Sequence, residues 1–329
     1  MAKKSSTQKN IKGLVIFKHK ESPKKIKADK YLVEQINKED KIKITSSLTV
    51  QGSNYRYSII INNEKSEPIT DINVKILYPR DLEFVGSYPL SLIVSHPFEK
   101  NHKNSSILNF NLTRINGENL EELHFHFKPS TKLSVEEFIT FGKYINNKGK
   151  RKEIRSQSIK IKIEDLKITP KIISHSQIRE ISLIHGMKRT LISLGIGTKK
   201  NLNLKKIIDL FESLILSYNF QFITKDKEKG ILWFFGSESN SNDDILALSK
   251  IAPNIIEIIA YSINPIILAL FLSSFIKQVK DQLIKNKIIK SNMKILNLEC
   301  VNCGLNLPYF PKSGEFITCI KCSYKQLVW

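Results

Sequence analysis

All four cysteines of the chain fall in one window near its end: Cys300, Cys303, Cys319 and Cys322. They read C-V-N-C-G, a spacer of fifteen residues, then C-I-K-C-S. Each C-x-x-C pair brings two thiolates to one side of a metal ion, and the spacer folds back as a hairpin to supply the other two. The pattern predicts a tetrahedral Zn2+ site. Four thiolates leave no open coordination position, so the ion is expected to be structural and not catalytic. Two disulfides are the competing use of the same thiols. The chain begins Met1-Ala2-Lys3-Lys4-Ser5 and continues polar and basic, without the apolar core of a secretory leader. In a reducing compartment clustered thiols favour metal.

On these residues Cys300–Trp329 resembles a zinc ribbon. Gly304 permits the tight turn after the second ligand. Pro308, Pro311 and Gly314 mark turns, and Gly314–Thr318 reads as a strand entering the second knuckle. Tyr324 and Leu327 are the expected apolar patch beside the metal. Zinc ribbons serve as nucleic-acid readers, protein docking surfaces or inert clips, so the resemblance leaves the module's role open.

From Ile42 to Ile163 the apolar residues alternate. Tyr55, Tyr57, Ile59 and Ile61 share one strand face; so do Ile72, Val74 and Ile76, then Leu108, Phe110 and Leu112, then Leu123, Phe125 and Phe127. Turn residues at Asn62-Asn63, Pro79-Arg80-Asp81, Asn116-Gly117 and Lys148-Gly149 separate them. Seven or eight short strands so punctuated predict a two-sheet antiparallel β-sandwich. The wording of Tyr57–Asn63, Glu67–Val74 and Pro79, with Phe127-Lys128-Pro129 and Phe141–Tyr144 later, resembles an Ig-like module of the ear or appendage type found in vesicle-coat adaptors. That resemblance implies a protein-binding role and brings no catalytic residues. His124 and His126 lie on the strand face opposite Leu123, Phe125 and Phe127, and are expected as exposed surface histidines.

After Pro170 the spacing changes to threes and fours, and a mostly helical α+β domain with one hairpin is expected. Ile181, Ile184, Lys188, Leu191 and Ile192 suggest a helix ending near Gly195, with His185 inside it. Leu204, Ile207, Ile208, Phe211, Leu214 and Ile215 suggest a second. Phe220–Ile223 and Ile231–Phe235 flank a charged turn and read as a β-hairpin. Asn242 is the expected N-cap of a helix through Ile245, Leu246 and Leu248, with Asp243 and Asp244 in its first turn. Ile255–Ile276 is the most apolar stretch. Glu257 and the cap-like Asn264-Pro265 divide it, which favours a buried helical hairpin over a membrane span.

The resulting organisation is a basic, largely disordered arm (1–38), an Ig-like sandwich (39–166), an α+β domain (174–290) and a zinc ribbon (295–329). The formal net charge of +21 is mostly lysine. It would attract polyanions, but specific phosphate recognition favours arginine, which is scarce here. No phosphate loop, G-x-S-x-G elbow or H-E-x-x-H sequence occurs. The expected function is a non-enzymatic, cytoplasmic zinc-binding adaptor or scaffold that contacts other proteins. Two alternatives stay open: a nucleic-acid-associated zinc-ribbon protein acting through its lysine-rich segments, and a membrane-anchored protein held through residues 255–276.

Overall fold

Residues 41–96, 105–129, 134–163, 165–197 and 203–328 are described by a computed structural model. The basic arm 1–38 lies outside them.

The alternating region forms the expected sandwich. One sheet has the order β1 (Ile42–Gln51), β2 (Asn54–Asn63), β7 (Asn119–Lys128), β4 (Glu83–Tyr88). The other runs β10 (Ile159–Ile163), β8 (Ser134–Ile145), β3 (Ile69–Pro79), β6 (Ser105–Ile115), β5 (Val94–Ser95), with β9 (Arg151–Arg155) also pairing with β8. Every pairing is antiparallel. Four strands ordered 1-2-7-4 facing β3, β8 and β9 reproduce the A-B-E-D and C-F-G sheets of an immunoglobulin-like sandwich; β5 and β6 extend the second sheet beyond β3. Tyr55, Tyr57, Ile59, Ile72, Phe125 and Phe127 are fully buried between the sheets. The basic run at 143–155 is a hairpin: Asn146 Oδ1 accepts from the backbone N–H of Lys148 and Lys150, and Gly149 takes φ +69°.

The region after Pro170 departs from expectation. It is built on a seven-stranded antiparallel sheet ordered β11 (Ile168–Pro170), β14 (Ile231–Glu238), β15 (Asp244–Ile251), β16 (Ile255–Ser262), β12 (Lys188–Ile196), β17 (Ile295–Asn297), with β13 (Gln221–Asp226) also pairing with β14. The β13–β14 hairpin, the second helix and the helix start at Asn264-Pro265 stand as read. The segment containing Leu191 and Ile192 is strand β12. The first helix, α1 (His175–Ser182), ends before His185, which occupies the following turn. Ile245–Leu248 lies in β15; Asn242 sits at φ +59° in the β14–β15 turn and caps no helix. Asp243 and Asp244 therefore open no helix of their own: Asp243 accepts from the side chain of Asn264 at 2.9 Å, and Asp244 pairs with Lys171 at 2.7 Å. The physical reason is burial on both faces. Ile245, Leu246 and Ala247 are consecutively buried, as are residues 192–196 of β12. Such strands lose the polar alternation that marks a half-exposed one, and a short apolar run then resembles a buried helix segment.

One face of this sheet carries α2 (Leu204–Ser217) and α3 (Pro265–Lys285); α1 packs on the other through Ile178 against Phe235 and Leu246. Asn264 caps α3, its side chain accepting from Ile266 N at 3.0 Å, and Pro265 opens the first turn. The apolar stretch 255–276 is thus strand β16 followed by a helix, not a helical hairpin. Among the described residues no helix is long and apolar enough to cross a membrane. The first half of α3, to Ile276, is apolar nearly all round because it lies between two cores. Leu268, Phe271, Leu272 and Phe275 pack under the seven-stranded sheet, while Ala269, Ile266 and Leu270 pack against the sandwich. These contacts tie the described residues from Ile42 onward into one compact unit.

Candidate metal centre

The two C-x-x-C turns are built alike. In the first, Cys300 N–H donates to Leu305 O (2.8 Å), and Gly304 N–H, at φ +66°, donates to Cys300 O (2.7 Å). In the second, Cys319 N–H donates to Tyr324 O (2.9 Å), and Ser323 N–H, at φ +56°, donates to Cys319 O (2.9 Å). Each turn therefore needs a left-handed residue directly after its second cysteine; glycine fills that position once and serine the other time. A short hairpin, β18 (Phe316–Thr318) with β19 (Lys325–Leu327), carries the second turn.

The four sulfurs converge. Cys300 Sγ lies 3.6 Å from Cys322 Sγ, Cys303 Sγ lies 3.6 Å from Cys319 Sγ, and all four lie within 4.8 Å of one another. No pair is bonded. The cage can hold one metal ion. Burial pushes the Cys300 and Cys303 thiols up. At Cys322 burial, the largest single influence, again pushes up, but it is outweighed by several donors acting together, foremost the Tyr324 backbone N–H and the Asn302 side chain, and the thiol drops to about 6. The apolar support beside the sulfurs is Leu298, Leu307 and Ile317, joined by Tyr88 and Ile255 from the two large sheets. Tyr324 and Leu327, expected there, face outward, because the β18–β19 register turns Ile317 and Gln326 inward instead.

The module is not a free tail. Gln51 Nε2 donates to Cys303 O at 2.8 Å, and Gln51 Oε1 accepts from Arg56 at 3.3 Å. Leu298 N–H donates to Ser193 O (2.9 Å) and the Asn306 amide to Leu191 O (2.9 Å), so the module continues the work of β17 in closing the outer edge of β12. Gly195 on that strand lets Phe310 approach: a Cβ there would lie 2.6 Å from the ring. Gly52, at φ +57°, makes the same room for the Glu299 carboxylate. Burial pushes Glu299 up to about 7, against the opposing pull of Lys280.

His124 and His126 are not exposed. They stand on the outer face of the first sandwich sheet, as their spacing implied, but the cysteine module covers that face. His124 is 8% exposed, with Nδ1 2.9 Å from Ser58 Oγ and its ring stacked on Tyr88 at 5.7 Å. His126 abuts Gly304. Burial, then His124 and Arg56, hold it down to about 4, so it is neutral at physiological pH. Neither approaches the sulfurs as a further ligand; the metal-capable cluster among the described residues is the four cysteines alone. Sequence reasoning missed the docking residues Gln51, Gly52, Gly195 and Asn306. The glycines were the available signal, since glycine inside or beside a strand marks close approach of another segment.

Gly304→Ala tests this docking. The position has a positive φ, and the added Cβ would fall on Gln51 Nε2 and 2.9 Å from His126 Cε1. Left-handed strain and the displaced Gln51 bond should together cost about 2 kcal/mol, read by denaturant unfolding of the full chain. Ser323→Gly, at the equivalent turn, should be neutral or mildly stabilising. Equal effects at the two positions would contradict the assigned contact.

No protein-family model matches the chain, and no curated protein matches it. Solved structures give partial likenesses. A non-cellulosomal cohesin from the archaeon Archaeoglobus fulgidus is 14% identical over 43% of this chain and 96% of its own, with a TM-score of 0.27. BcpA, the major pilin subunit of Bacillus cereus, is 9% identical over 66% of this chain at a TM-score of 0.30; the match spans 65% of the pilin. A protein of immunoglobulin-like fold from Nocardia farcinica is 9% identical over 33% of this chain and 81% of its own, at 0.24. Scores of this size carry no functional argument, and the sandwich assignment rests on the chain's own strand order.

Proposed function

We propose that this protein is a non-enzymatic scaffold whose C-terminal zinc ribbon locks an Ig-like sandwich to a second β-sheet and presents surfaces to protein partners. The observation that carries the reading is the sulfur cage and where it is mounted. A tetrahedral ion with Zn–S bonds of ~2.3 Å separates its sulfurs by roughly 3.7 Å, close to the 3.6 Å spacings of the two sulfur pairs. Four cysteine ligands close the coordination shell, so the ion supplies fold energy and no reaction centre. Thiols that burial keeps protonated would surrender their protons to the metal, which makes occupancy fall in acid. The intracellular, reducing location expected from free thiols belongs to the same proposal.

Elemental analysis of the purified full chain should return a single zinc ion, with the thiols shielded from alkylation until a chelator is added. Metal-free protein with its sulfurs oxidised in pairs would sink the zinc half of the reading. For the partner half, in-cell cross-linking followed by nuclease should leave protein adducts in place. Retention only on nucleic acid, falling steeply with salt, would instead mark a phosphate-binding protein.

A further inference from the structure

The hairpin that carries the second cysteine turn has two unlike faces. Residues paired across β18 and β19 share a face: Ile317 with Gln326, and on the other side Phe316 with Leu327 and Thr318 with Lys325. Ile317 is buried in the module core, and Gln326 is tied down by Val301 N–H to its Oε1 (2.9 Å) and by its own amide to Glu299 O (3.1 Å). The opposite face is left in water: Phe316 is 55% exposed and Leu327 51%. The turn joining the two strands adds Ile320, 76% exposed, and Tyr324. A module this small has few large apolar residues, and it spends several of them outside its own core. Clustered exposed apolar side chains rimmed by charge mark an interaction surface.

The charge selects the occupant. Lys325 holds its ammonium 5.3 Å over the Phe316 ring, and Lys321 is exposed in the adjoining turn. The nearby carboxylate, Glu315, is engaged by Lys312 N–H (2.8 Å) and the Tyr309 hydroxyl (3.4 Å). We infer that the outer face of the β18–β19 hairpin docks an acidic peptide segment bearing large apolar side chains, which pack on Phe316 and Leu327 while its carboxylates meet Lys321 and Lys325. This deepens the scaffold reading and rests on it. A second copy of the chain fits poorly, because two such faces would oppose lysine to lysine on molecules of net charge +21. The lysine-rich arm 1–38 is repelled for the same reason.

The test is selection of a displayed library of random peptides of about twelve residues on the full-length, zinc-loaded protein. Enriched sequences should combine Asp or Glu with Leu, Ile or Phe, and bind more weakly as salt rises. Their affinity should fall at least ~10-fold on Phe316→Ser/Leu327→Ser; zinc content and thermal midpoint should stay unchanged, since both positions are exposed. Lys321→Glu/Lys325→Glu should remove the preference for acidic sequences. Acidic apolar peptides that bind the first double variant undiminished would overturn this site while leaving the scaffold reading standing. Absence of acidic enrichment, self-association abolished by the same variant, or cross-links from the arm onto Phe316 and Leu327 would each overturn the assigned occupant.

Discussion

Chelating the metal that the four-cysteine cage is proposed to hold, or replacing Cys303 with serine, is expected to lower the thermal midpoint of the full chain by on the order of 10 °C and to make the melt end in aggregation. The core of the cysteine module is little more than Leu298, Leu307, Ile317 and the cysteines themselves, too little to offset the backbone entropy of some thirty residues without a metal. The loss would not stay local. The cysteine module supplies the partners of Gln51, Leu191 and Ser193, packs on Tyr88 and abuts His126. Its release would expose the edge of β12, unpaired backbone in a strand of high apolar content, which invites strand-to-strand association. Each kcal/mol lost moves the midpoint by roughly 2–4 °C in a unit of this size, so several kcal/mol give the shift stated. Calorimetry with and without a chelator reads it. Hydrogen exchange should place the first loosening at β12 and β4, two of the strands the cysteine module touches. An unchanged midpoint, or a ribbon that melts alone while β12 stays protected, would show that the metal clip bears no load beyond its own module.

The sandwich and the cysteine cage were legible from residues 42–163 and 300–322 because each leaves a local mark. Strands with one buried face alternate, and ligand pairs repeat a spacing. The second sheet left no such mark. β12 and β15 are buried on both sides over residues 192–196 and 245–247, so neighbours such as Ile245 and Leu246 are apolar in succession and the polar alternation of a half-exposed strand is lost. The β16–α3 boundary was readable at Asn264-Pro265, where cap chemistry is local, yet the strand before it was mistaken for helix. His124 and His126 show a different limit. Their spacing fixed the sheet face, but whether that face meets water depends on a module almost two hundred residues further along the chain. Sequence periodicity reports on which side of an element a residue lies and is silent on what comes to cover that side.

The other large effect is expected at Phe271, on the helix that both cores share. Phe271→Ala should cost about 3–5 kcal/mol. Its ring is fully buried, stacked on Phe275 at 5.5 Å, edge-on to Tyr218 at 5.8 Å and 5.1 Å from Phe220. Tyr218 caps the end of α2 and Phe220 follows it in the segment leading into β13, while Phe275 lies on α3 itself, so closing the cavity would need that connection and α3 to move together. The cost should therefore sit at the upper end for a large-to-small change. Leu216→Ala, on the exposed side of α2, serves as the control and should change stability by less than about 0.5 kcal/mol. Denaturant unfolding in aqueous buffer without detergent measures both. The comparison also decides the environment of α3. A helix packed between two protein cores loses several kcal/mol with that ring, whereas a helix bathed in lipid would lose far less, because acyl chains fill the space an absent side chain leaves. A near-neutral Phe271→Ala would thus argue that residues 265–285 do not occupy the protein interior in the native state.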